Sequence, residues 1–138
     1  MINYKDHLLK NTLTIKDALI KLNILGKDAI LFITDDLDKL HGSITDGDVR
    51  RGLINGVTID DLVIKILQPN PKFILKSNYD LQKIVDLRNE NYRVFPVLDN
   101  DGIIINVVNF RIIKSYLPLD AIIMAGGKGT RLQPLTND

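Results

Sequence analysis

Gly42-Ser43-Ile44-Thr45-Asp46-Gly47-Asp48-Val49-Arg50-Arg51 reads as a strand that turns straight into a helix. Upstream, Leu37 to Ile44 mixes apolar and polar residues, as a short strand does. Downstream, Val49, Leu53 and Ile54 fall at i, i+4 and i+5, as on a helix face. Thr45 and Asp46 are both good N-cap residues. Such a turn leaves backbone N–H groups unpaired and aims a partial positive charge at whatever lies before the helix. Phosphates suit that place. Thr45 offers a hydroxyl, and Asp48, three residues on, offers an acceptor-only carboxylate. The carboxylate repels a phosphate but suits a sugar diol. The stretch therefore describes a nucleoside phosphate site, with phosphate at Thr45 and the amides and ribose on Asp48. The same residues also make an ordinary helix cap, and local chemistry alone leaves both readings open.

Working outward, the 138 residues suffice for one domain or two closely paired small ones. Hydrophobic residues make up 45%, enough for a core, and 18 basic residues face 17 acidic ones. A net charge of +1 gives no footprint for nucleic acid or an anionic membrane. With no Trp and four each of Phe and Tyr, base-stacking platforms are not expected either. The lack of cysteine excludes disulfide scaffolds and thiolate metal sites. No apolar run approaches the ~20 residues of a membrane span. The polar start (Asn3, Lys5, Asp6, His7) is unlike a signal peptide, which makes the cytoplasm the default location. His7 and His41 lie far apart without ligand-spaced carboxylates, so no metal site is expected and both read as ordinary polar residues.

Residues 1–13 form a lead-in whose Ile2, Leu8 and Leu9 can pack on the body. Thr14, with Asp17 three residues on, caps a helix bearing Ile15, Ala18, Leu19, Leu22 and Leu25, and Gly26 ends it. Ala29 to Ile33 is a buried strand. Asp35 to Lys39 is a turn, Leu40 to Ile44 a strand, and Asp46 to about Asn55 a helix. Thr58 or Asp60 caps a further short helix through Leu62, Ile66 and Leu67. After Pro69 and Pro71 the order recurs. Lys72 to Lys76 is a strand, and Asn78 caps a helix bearing Leu81, Ile84, Val85 and Leu87. Arg93 to Leu98 is a strand, Asp99 to Gly102 a turn, and Ile103 to Val108 a strand. Asn109 to Leu117 is a helix with Phe110, Ile113 and Tyr116 inward. Helix, strand, turn, strand, helix thus occurs twice, displaced by about 63 residues. Each half is too small for a good core alone, so the halves should pack as one α+β (mixed α/β) body. At that displacement Val108 matches Thr45 and Arg111 matches Asp48. The second half then reads as a structural copy, or as a different anion site built on Arg111.

Two β-α-β-β-α repeats with Gly42-Ser43-Ile44-Thr45-Asp46-Gly47-Asp48 at the second hairpin strand resemble a tandem pair of cystathionine β-synthase (CBS) domains, or Bateman module. Phe95-Pro96-Val97-Leu98-Asp99 is similar to the family's Pro-Val strand before an acidic turn. The resemblance covers residues from about 10 to 117 and implies two repeats packed as a pseudo-twofold pair. It implies a cleft that binds an adenosine nucleotide (AMP, ADP or ATP), with S-adenosyl ligands also known in the family. It puts ribose on Asp48, a ribose or phosphate contact on Thr45, and backbone contacts at Ser43 and Ile44 beside Gly42 and Asp46. Arg50 or Arg51 reaches the phosphates, and Thr12, Leu13 or Ile33 lines the adenine slot. The departures at Val108 and Arg111 imply one adenosine site or none. Family members also form dimers of pairs, so a homodimer is expected.

Leu119 to Met124 is strand-like, and Ala125-Gly126-Gly127-Lys128-Gly129-Thr130-Arg131 follows. Three glycines after a strand let the backbone approach a ligand, and their N–H groups can cradle phosphates beside Lys128 and Arg131. The string resembles the opening signature of sugar-1-phosphate nucleotidyltransferases. Such a domain needs roughly 200 further residues, together with Mg²⁺ ligands and a sugar pocket. The segments expected are therefore 1–68 (first repeat with lead-in), 69–118 (second repeat) and 119–138 (the start of a nucleotidyltransferase domain). The chain reads as the N-terminal piece of a longer enzyme, not catalytic by itself, with Mg²⁺ needed only by the whole. Residues after about 118 are expected to be disordered or opportunistically packed. The functional expectation is a nucleotide-sensing pair that regulates its own C-terminal catalytic domain. The alternative is a dimerisation scaffold with a vestigial site.

Overall fold

The computed structural model describes residues 3–78 and 80–112. In the first repeat, β1 (Leu8–Lys10) lies parallel to β2 (Ile30–Thr34), and β2 lies antiparallel to β3 (Leu40–Thr45). The helices are α1 (Ile15–Leu25) and α2 (Asp46–Ile54). In the second repeat, β4 (Ile74–Leu75) is parallel to β5 (Val94–Leu98), β5 is antiparallel to β6 (Ile104–Asn109), and α3 spans Leu81–Asn89. Each repeat is a three-stranded sheet with its middle sequence strand in the centre, as the mixed α/β reading requires.

Alternation along the central strands builds the pair. Leu31 and Ile33 point to the helix side, where Ile15, Ala18, Leu22, Ile44 and Val49 close the first core. Phe32 points the other way and meets Leu8, Val94, Leu98 and Ile104, a core shared by the two sheets. Phe95 turns to the second repeat's own core with Ile74, Ile84 and Leu87. Neither repeat covers both faces of its sheet alone, so the shared layer joins them. Backbone bonds add to it: Leu40 N–H donates to the Gly102 carbonyl and Ile104 N–H to that of Asp38, both at 3.0 Å.

Several sequence expectations need correction. The lead-in contains a 3₁₀ turn (Tyr4–His7) and β1, whose three residues are too few to show a period. His7 is buried, its Nδ1 3.0 Å from the Ile30 carbonyl. The short helix expected through Leu62, Ile66 and Leu67 is a single 3₁₀ turn over Val63–Ile66. The cap of α3 is Asp80 rather than Asn78: its carboxylate accepts from Gln82 N–H at 2.9 Å. The strand placed over 72–76 pairs only at Ile74 and Leu75.

The repeat displacement is also corrected. Ile30 pairs with Thr45 and Val94 with Asn109, and both sheets shift register at the same place, Ile33/Thr34 and Val97/Leu98. The strands therefore superpose at 64 residues, and the equivalents of Thr45 and Asp48 are Asn109 and Ile112, not Val108 and Arg111. The last helix does not start at Asn109, which ends β6, and residues 110–112 form a turn. Its remainder with Ile113 and Tyr116, the strand over 119–124, the loop at Ala125 to Arg131, and the state expected after residue 118 lie outside the described residues.

Candidate functional site

The Thr45–Asp48 turn is placed by β3, which hands Thr45 directly to the first residue of α2. Asp48 is 5% exposed. Its Oδ2 accepts from Thr45 N–H at 2.8 Å and from the Thr45 hydroxyl at 2.6 Å. Its Oδ1 accepts from Arg51 at 2.6 Å. These bonds satisfy a cap and compensate a buried carboxylate. A carboxylate has about four acceptor positions, so the turn keeps one in reserve and gains more when the exposed Arg51 side chain departs.

The same Thr-x-x-Asp box occurs at Thr14–Asp17 and Thr58–Asp61, with N–H to carboxylate distances of 2.9 and 2.8 Å. Those carboxyls are held below the ordinary range. At Asp17 the causes are the Thr14 N–H and hydroxyl. At Asp61 they are the Lys65 ammonium and then Thr58, which bring it down to about 2. Asp48 differs from both in being buried.

The other nominated residues divide. A Cβ on Gly42 would lie 2.5 Å from the Gln68 carbonyl oxygen, so this glycine admits the inter-repeat connection against β3. Ser43 N–H and C=O both bond Gln68, each at 3.0 Å, so its backbone is committed within the fold. Ile44 is fully buried in the first core. Asp46, Arg50 and Arg51 are exposed on α2. Leu13 and Thr12 are exposed after β1, whereas Ile33 is buried among the helices, away from the surface an adenine slot requires.

The structure adds residues that sequence reading missed. A cavity of about 220 Å³ opens between the repeats, with Lys27, Asp28, Arg93 and Arg111 on its wall. It includes Ile30 and Val94, the register partners of Thr45 and Asn109, so it lies near the ends of β3 and β6. Asp28 is the anion that spans it. It accepts from Asn109 Nδ2 at 2.8 Å and pairs with Arg111 Nε at 2.9 Å. Lys27-Asp28 and Tyr92-Arg93 sit just before the central strands of the two repeats. That common position is the signal that could have found them.

Among the described residues no cluster of His, Asp and Glu could hold a metal ion, and no helix is long and apolar enough to cross a membrane.

A nucleotidyl transferase family model matches residues 120–138. Comparison with curated proteins finds no match. Among solved structures, the fold is similar to AcuB from Vibrio cholerae, with a TM-score of 0.65 and 17% identity over 80% of this chain and 86% of that one. It is similar to the CBS-pair protein CBSX2 from Arabidopsis thaliana, with a TM-score of 0.62 and 26% identity over 79% and 84%. It is also similar to the CBS domain protein PAE2072 from Pyrobaculum aerophilum, solved with AMP, with a TM-score of 0.58 and 18% identity over 80% and 88%. The described residues thus have the fold of a tandem CBS-domain pair, and residues 120–138 match a nucleotidyl transferase family model.

Proposed function

We propose that this pair is a sensor of adenosine nucleotides that regulates an attached sugar-1-phosphate nucleotidyltransferase. The reading is carried by the buried Asp48 carboxylate at the start of α2 together with a cationic cavity between the repeats, whose wall includes Ile30, the register partner of Thr45. Ribose hydroxyls bond Asp48, Thr45 turns its hydroxyl from Asp48 to the ligand, and Arg51 swings to the phosphates. Lys27, Arg93 and Arg111 supply further positive charge. The AMP complex of PAE2072 supports an adenosine ligand. Ligand that favours one arrangement of the repeats then biases the segment leading to residue 120, which is coupling by differential affinity. Mg²⁺ belongs to the transferase reaction, and its ligands lie outside the described residues. The assembly is a homodimer, joined through the apolar outer faces of α1 and α2, where Ile20, Ile24, Leu53 and Ile54 are exposed.

The test is thermal unfolding with AMP, ADP, ATP and S-adenosylmethionine. Ligand at 100 times its dissociation constant adds about 2.7 kcal/mol, a rise of several degrees for a domain of this size. Asp48→Ala abolishes the rise. Asp61→Ala breaks an equivalent cap, lowers basal stability and keeps the rise. No rise with any nucleotide would favour the scaffold reading, for which the committed Ser43 backbone and the capped Asp48 speak.

A further inference from the structure

We infer that the first repeat carries a second anion site, separate from the Thr45–Asp48 turn, that takes a dianionic oxyanion of the phosphate-monoester kind. A cavity of about 250 Å³ lies where the 3₁₀ turn, β1, α1 and the end of β2 meet. Three lysines from three different elements line it: Lys5, Lys10 and Lys21. Among the described residues, Asp38 is the only acidic one on the wall.

Thr34 is also on that wall, opposite Lys10 in the β1–β2 register. Thr34 is 0% exposed, and its hydroxyl has no hydrogen-bond partner among the described residues. Buried hydroxyls are seldom left so, because desolvation without a new bond is unfavourable. The ammonium groups are positioned but not saturated. Lys10 Nζ donates to the Asp35 carbonyl at 2.5 Å and to Asp38 Oδ1 at 2.6 Å, two of its three donors. Lys21 Nζ donates to the Leu8 carbonyl, and Lys5 makes no side-chain bond among the described residues. Three ammoniums against one carboxylate leave a surplus of two positive charges, which a phosphate monoester dianion balances and a carboxylate does not. Leu8, Leu9 and Leu13 complete the wall and suit the carbon body of an ester. Thr45, Asp48 and Arg51 are not part of it, so the anion is held by residues other than those proposed for ribose and phosphate of the nucleotide.

The experiment is calorimetric titration of the whole chain with inorganic phosphate at constant ionic strength in chloride, with acetate as the monoanion control. Phosphate is expected to bind and acetate not to. Thr34→Val keeps the side-chain volume, removes a hydroxyl that has no partner, and melts in chloride no lower than the parent. It should weaken phosphate at least fivefold. Lys5→Gln, an exposed change that leaves the core intact, should do the same. Absence of phosphate binding, acetate binding of equal strength, or unchanged affinity in either Thr34→Val or Lys5→Gln would each overturn the assignment.

Discussion

Asp48 holds three hydrogen bonds while 5% exposed, and the one from Arg51 is the easiest to exchange because the arginine is mostly in solvent. Arg51→Ala should therefore separate the two halves of a nucleotide. AMP should lose about tenfold in affinity, in line with about 1.5–3 kcal/mol for a charged hydrogen bond. Adenosine, with no phosphate, should bind as well as before or better, and competition titrations would show the split. Asp61 gives a pH test. Its carboxyl is held at about 2, first by Lys65 and then by Thr58, against about 3.9 in an unfolded chain. The folded value is depressed, so the contribution to stability is complete above about pH 4 and is lost as pH falls toward 2. Carboxyl NMR should find Asp61 titrating well below the usual carboxylate range, and Lys65→Gln should raise it. At this scale the sequence was partly legible. Thr14–Asp17, Thr45–Asp48 and Thr58–Asp61 carry the same cap chemistry, and only burial, a tertiary property, sets Asp48 apart.

At the scale of elements, Gly42 shows how a residue of the ligand motif also serves the fold. A Cβ there meets the Gln68 backbone and the Leu67 side chain, each at 2.5 Å, and the first of these cannot rotate away. Gly42→Ala should displace residues 67–68 from β3 and destabilise the pair by about 1–3 kcal/mol, the usual range for overpacking, read by urea unfolding. Long periodic elements were legible: α1 spans Ile15–Leu25 with its Thr14 cap as read. Short ones were not. β1 and β4 hold three and two residues, and their pairing is fixed by the strand beside them rather than by any pattern of their own. The one-residue error in superposing the repeats arose because β6 extends to Asn109, one residue past Val108. Side-chain alternation cannot show such an offset without the partner strand, whereas a register does.

For the whole molecule, the join between repeats is part apolar, through Phe32 and Val94, and part polar, through Asp28. Asp28→Ala removes the partner of both Asn109 and Arg111. It should cost about 1–3 kcal/mol, the penalty for leaving such groups unpaired, and should raise amide exchange in both β2 and β5. The apolar patch on α1 and α2 predicts that Ile24→Glu with Ile54→Glu converts a dimer to a monomer in sedimentation. The inter-repeat cavity was not legible because Lys27-Asp28 and Tyr92-Arg93 meet only after the pair has formed. The measurement that bears most directly on nucleotide sensing is amide chemical-shift mapping of the isotope-labelled chain during AMP titration. The account predicts saturable shifts, largest at Thr45, Asp48 and Arg51 and next at Lys27 and Arg93. Saturable shifts that spare Thr45 and Asp48, or no shifts at all, would contradict it.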